Sequence, residues 1–63
     1  MYYIHIVSNT AQTITGHACT LWGVKHNVSR AILDYKQLHN DQIQSVRIYK
    51  ATANAPKMIM RVW

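Results

Sequence analysis

The spacing of apolar residues changes period twice along the chain. Tyr2 to Val7, YYIHIV, is rich in β-branched and aromatic residues and reads as a strand. Tyr2, Ile4 and Ile6 then share one face, and Tyr3, His5 and Val7 the other. Ser8 to Thr13 is polar and reads as a loop. Ile14 to Trp22 reads as a second strand, because Thr and Ile favour extended backbone, although Gly16 and Gly23 interrupt it. After Asn27, whose side chain can cap a helix N-terminus, the period becomes helical. Val28, Ala31, Ile32, Tyr35 and Leu38 form one apolar stripe, with Arg30, Asp34 and Lys36 away from it. Arg30 and Asp34 are spaced to pair on the solvated side, and Lys36 and His39 sit at the negative end of the helix dipole. Asn40 and Asp41 end the helix. Alternation returns over Ile43 to Ala51 and Lys57 to Val62, joined by the hairpin-like TANAP, with Pro56 suited to the beginning of a strand.

The order β(β)αββ predicts an α+β fold: a small three- to four-stranded, mainly antiparallel sheet with one helix packed on one face. The helix should meet Tyr2, Ile4, Ile6, Val46, Ile48, Met58, Met60 and Val62. The uncovered face should then display Tyr3, His5, Arg47, Tyr49, Ile59, Arg61 and Trp63. A one-residue slip or bulge would exchange the two sets. Leu33 lies outside the stripe, nearly opposite Val28, and is expected to be exposed.

Size makes stability marginal. A single domain of 63 residues buries only about 60% of the surface its unfolded chain exposes. Cys19 is the only cysteine, so no disulfide forms within one chain. The four histidines are separated by 12, 9 and 13 positions, without the close spacing of a zinc site, and neither metal nor cofactor is expected. Tight packing, a partner or self-association remains, and a homodimer through the helix or the last strand is a natural expectation. No secretory leader pattern opens the chain, and no run of about 18 apolar residues occurs, which favours a cytoplasmic protein without membrane contact.

Charge gives this pattern chemical meaning. Seven Lys and Arg stand against Asp34 and Asp41 alone, for a formal charge of +5. Such a field attracts anionic partners, either nucleic acid or an acidic protein surface. Aromatic rings among arginines on an open sheet face suit single-stranded nucleic acid, since rings stack on bases and guanidinium groups meet phosphates. The candidate contact residues are Tyr3, His5, Arg47, Tyr49, Lys50, Lys57, Arg61 and Trp63. Two readings compete. The aromatics could serve as cross-strand pairs that hold the sheet, with arginine stems covering apolar surface. Tyr, Trp and Arg are also the residues that protein interfaces concentrate.

Catalysis finds little support. Asp34 has Arg30 as a partner, Asp41 looks like a turn residue, and no third group orients a Cys19–His17 pair. His5 would need a second proton-transfer group on its face to cleave a phosphodiester. A non-enzymatic binding protein is therefore expected.

His17 to Ile32, HACTLWGVKHNVSRAI, resembles a helix-turn-helix sequence through Ala18, Gly23 and the Val28-Ser29-Arg30 run. Gly23 lies one residue too far from Ala18 and one too near Val28. The resemblance implies that Lys25, His26, Asn27 and Arg30 face a DNA groove, with the last two strands as a wing. Leu21, Val24, Val28, Ala31, Tyr35 and Leu38 also repeat at steps of three and four, as a longer helix would. In size and charge the chain is similar to small phage proteins directed against host defence or transcription, anti-CRISPR proteins among them. That likeness implies a compact inhibitor docking an acidic surface of a nucleic-acid-handling complex.

Overall fold

Ile4 and Ile6 lie directly opposite Ile48 and Val46 on the neighbouring strand, and all four side chains are fully buried. This aliphatic block is the centre of the computed structural model, which describes residues 1–39 and 41–63. The elements are β1 (Tyr2–Ser8), β2 (Gln12–Ala18), α1 (Leu21–His26), α2 (Val28–Leu38), β3 (Ile43–Lys50) and β4 (Lys57–Arg61). The strands form one antiparallel sheet in the order β2-β1-β3-β4. The expected α+β architecture is present in its four-stranded form. Val24, Ala31 and Tyr35 from the helices close the core over β1 and β3, with Tyr2, Leu21, Val28, Ile32, Met60 and Val62 around them.

The helical layer begins earlier than its sequence pattern suggested. Leu21 and Trp22 are helical and not the end of a strand, and β2 lies two residues before the expected start. Thr20 caps the layer, its hydroxyl accepting from the Gly23 N–H at 3.0 Å. Asn27 makes no side-chain cap, because its own backbone is helical (φ −84°, ψ −8°) and its N–H already donates to Gly23 and Val24. A single helical residue thus joins α1 to α2, where a helix-turn-helix needs a turn of three to four residues. The last two strands belong to the main sheet and form no separate wing. The steps of three and four starting at Leu21 were the better guide, except that Leu38 projects past the core and is 80% exposed. Leu33 is exposed as expected, and Arg30 Nε meets Asp34 Oδ2 at 3.9 Å on the solvated side. The expectation that Asn40 helps end the helix falls outside the described residues.

A buried hydroxyl network ties the β1–β2 turn to α2. Tyr35, 3% exposed, donates its phenol to Ser8 Oγ at 2.6 Å. Ser8 Oγ in turn donates to the Ala11 carbonyl and accepts from the Ala11 N–H, both at 3.1 Å. A tyrosine can enter the core here because its one polar atom has a partner. Asp41 adds a second tie, accepting from the Thr10 hydroxyl at 2.5 Å and from the Gln42 N–H at 3.0 Å.

Bulges set the sheet's final register. On β2 the pairing jumps from Ile4↔Thr15 to Tyr2↔Ala18, so Gly16 and His17 together face Tyr3. Gly16 has φ +64°, the left-handed conformation such a bulge uses, and a Cβ there would come within 2.6 Å of Ile4 Cδ1. On β4, Ile48 pairs Met60 while Tyr49 pairs Met58, which makes Ile59 the extra residue. The expected faces of Met58 and Ile59 are accordingly exchanged: Met58 is exposed beside Tyr49, and Ile59 packs against the core.

Two outcomes test this description. Gly16→Ala should destabilise the protein by about 1–3 kcal/mol through backbone strain, with further loss from the clash with Ile4; urea titration measures it, and a change within about 0.5 kcal/mol would contradict the bulge. The Thr10 hydroxyl, then Ser8 and nearby backbone N–H groups, hold the Asp41 carboxyl below its usual value of 3.8. A folded-state value below the unfolded one contributes stability that is complete above about pH 3.8 and is lost as pH falls through the lower folded value. The acid limb of a stability–pH profile should therefore flatten in Asp41→Asn.

Candidate nucleic-acid interface

Opposite the helices, alternate residues of all four strands make one uncovered surface. Register pairs Tyr3 with Tyr49, His5 with Arg47 and with Ile14, Tyr49 with Met58, and Arg47 with Arg61. The rings form a continuous row. His17 lies 5.9 Å from Tyr3, Tyr3 stacks on Tyr49 at 5.7 Å with 8° between planes, and Tyr49 meets the edge of His5 at 5.5 Å. His5 Nε2–H donates to Gln12 Oε1 at 3.2 Å, fixing the imidazole at the end of the row. The Tyr3–Tyr49 stack is a cross-strand pair between β1 and β3 of the kind the competing reading expected, whereas Trp63 lies elsewhere. The outward surfaces of the row remain available, since Tyr3, His5 and Tyr49 are only half-buried and His17 is exposed.

Five of the eight candidate residues, Tyr3, His5, Arg47, Tyr49 and Arg61, come together here, and three do not. Trp63 leaves the face. The Val62 and Trp63 N–H groups both donate to the Val46 carbonyl, at 2.9 and 3.2 Å, and the Val46 N–H returns to the Trp63 carbonyl at 2.9 Å. Two residues opposing one are a further bulge, which ends the alternation. The Trp63 ring accordingly lies toward the helices, 5.9 Å from the Lys36 ammonium on α2. Lys50 and Lys57 face each other at the hairpin end, on the helix side, with Lys50 Nζ 5.9 Å from the Tyr2 ring. His17 was missed as a member of the face because bare alternation in a strand beginning at Ile14 would set it opposite Ile14. The Gly16 bulge resets that alternation, and a glycine inside a strand pattern was the available signal.

Electrostatics distinguish this surface from ordinary sheet cover. Arg47 and Arg61 stand directly opposite each other, as do Lys50 and Lys57, and like charges in that relation destabilise a sheet. No acidic residue lies between Gln42 and Trp63 to relieve them. The only ion pair among the described residues is the exposed one on α2. Arg61 Nε donates to the Trp63 main-chain oxygen at 3.0 Å, which orients its guanidinium. An anion bridging Arg47 and Arg61 would remove the repulsion.

Other candidate chemistry stays dispersed. Cys19 is exposed in the segment before α1, whereas His17 turns to Tyr3. Among the described residues no three His, Cys, Asp or Glu side chains converge on a metal-sized site. No helix among them is long and apolar enough to cross a membrane. Comparison with known proteins finds no matching family, no similar curated protein and no similar solved structure.

The charge conflict gives a stability test. Arg61→Glu places an opposite charge across from Arg47 and should raise stability by about 0.2–1 kcal/mol at low salt, as read by thermal or urea unfolding. A loss of stability would show that the two guanidinium groups do not oppose one another in solution.

Proposed function

We propose that this protein is a non-enzymatic binding protein for single-stranded nucleic acid, which it holds against the open face of its sheet. The observation that carries this reading is the opposed Arg47–Arg61 pair beside a row of four rings, on a face with no acidic side chain. Phosphates would be met by Arg47 and Arg61, and bases would stack on the outward surfaces of Tyr3, Tyr49 and the two imidazoles. Stacking of this kind contributes about 1–3 kcal/mol per base and tolerates any sequence. Lys50 and Lys57 extend the positive field around the hairpin and favour approach of an anionic chain.

A second reading draws on the same surface. Exposed Met58 and Ile14 beside Tyr and Arg give the mixed composition of a protein interface. A small inhibitor of phage type, as the anti-CRISPR proteins are, would use it to dock an acidic protein or nucleoprotein surface.

Salt dependence separates the two. Affinity for a short single-stranded oligonucleotide should fall linearly on a log–log plot against salt. Arg47→Ala with Arg61→Ala should reduce the slope by about 1.4, since each phosphate contact on a single strand contributes about 0.7. Tyr49→Ala should cost about 1–3 kcal/mol of binding, whereas Trp63→Ala, off the face, should leave affinity close to that of the unmodified protein. No binding at low salt would sink the nucleic-acid reading and leave the acidic protein surface.

A further inference from the structure

The sheet has two outer edges with opposite chemistry. The β4 edge is preceded by Pro56, carries Lys57 and Arg61, and is broken by the bulges at Ile59 and at Val62–Trp63. Charge, proline and bulges are the devices that stop another strand from adding to a sheet. This argues against the dimer expected through the last strand. The β2 edge has neither charge nor proline: Gln12–Ala18 contains no Lys, Arg, Asp or Glu, and the first such residue in the chain is Lys25. Its one irregularity is at Gly16 and His17, which leaves Gln12 to Thr15 in regular register with β1.

Backbone direction follows from the turn. The Ser8 N–H donates to the Ala11 carbonyl at 2.9 Å, so Ser8 and Ala11 begin the ladder as a bonded pair. Alternation then turns the N–H and C=O of Thr13 and Thr15 toward β1, and those of Gln12 and Ile14 outward from the sheet. Two apolar side chains flank these outward groups. Ile14, 57% exposed, lies on the open face, and Leu38 lines the groove between α2 and β2 together with Thr13 and Thr15.

We propose that β2 is a self-association edge, on which a second copy of this chain adds its own β2 antiparallel about a two-fold axis at Ile14. The occupant follows from charge. A chain of formal charge +5 repels its copy wherever unpaired cations meet; β2 itself carries none, and Arg30, which lines the groove beside Thr15 and Gly16, is paired with Asp34. An isologous pair also needs a self-complementary surface, which a neutral strand crossing itself supplies. Ile14 then faces its symmetry mate on the open face, where cross-strand apolar pairs are favourable. The two four-stranded sheets become one sheet of eight, and the ring rows of both copies share one surface. The inference rests on edge chemistry and stands whatever the open face binds.

Sedimentation equilibrium from micromolar to millimolar protein tests it. A reversible dimer should appear and be unchanged or strengthened by added salt, the opposite sign to oligonucleotide binding. Ile14→Lys puts like charges together at the axis and should weaken association by about tenfold or more with an unchanged circular dichroism spectrum. Gln12→Lys, on the same edge, serves if the first variant fails to fold. Leu33→Lys, on the outer helix surface, should leave the dimer intact. A spin label on exposed Cys19 gives an independent reading, since the Gly16–His17 bulge leaves about four ladder steps on each side of the axis and separates the two labels by about 27 Å at about 3.4 Å per residue. A protein that is monomeric throughout, a dimer indifferent to Ile14→Lys and Gln12→Lys, or a label distance far from that value would overturn the proposal.

Discussion

The helical layer from Leu21 to Leu38 has material to cover one side of the sheet and none for the other. Four strands about 4.8 Å apart make a surface comparable in width to the length of α2, about 16 Å at 1.5 Å per residue. One such rod, with its short extension α1, meets Ile4, Ile6, Val46 and Ile48 and excludes water from them. In a chain this short every fully buried aliphatic side chain matters, each contributing about 1.5–3 kcal/mol relative to exposure. The opposite face is left to side chains that tolerate water while still packing laterally. Half-buried tyrosines, histidines and arginine stems meet that requirement.

Membership of the two faces is decided where pairing departs from strict alternation. The bulge at Gly16 and His17 brings an imidazole into the ring row, the one at Ile59 exchanges that residue with Met58, and the one at Val62–Trp63 turns an indole to the helix side. Each changes the local face by a single residue, because the side-chain period of a strand is two. The central pairing of β1 with β3 keeps its alternation from Tyr2 through Val7, since the aliphatic block would be exposed by any slip there. The core thus fixes the middle of the sheet, and departures collect toward its outer edges and, in the central pair, at the strand end where Ser8 meets Ile43.

Charge follows a division that the fold makes visible. The first half of the chain supplies the neutral edge and three of the four rings of the row. The β3–β4 hairpin supplies two like-charged cross-strand pairs, and both acids lie away from them, on α2 and in the loop before β3. An isolated protein gains nothing from opposed arginines. A protein that meets an anion does, because the conflict in the free state is relieved on binding.

By itself the sequence determined the α+β class, the central strands, the helix from Val28 and the presence of Tyr3, His5, Arg47, Tyr49 and Arg61 on one face. Those features depend on local periodicity, which neighbouring residues carry. It also contained signs that simple alternation misread, among them Gly16 inside a strand pattern and the steps of three and four that begin at Leu21. Only the tertiary structure decided that His17 joins the row, that Trp63, Lys50 and Lys57 do not, and that β2 and β4 are the outer edges. The physical reason is that bulges and strand order arise between strands: they depend on which backbone groups find partners across the sheet, and no single segment specifies that.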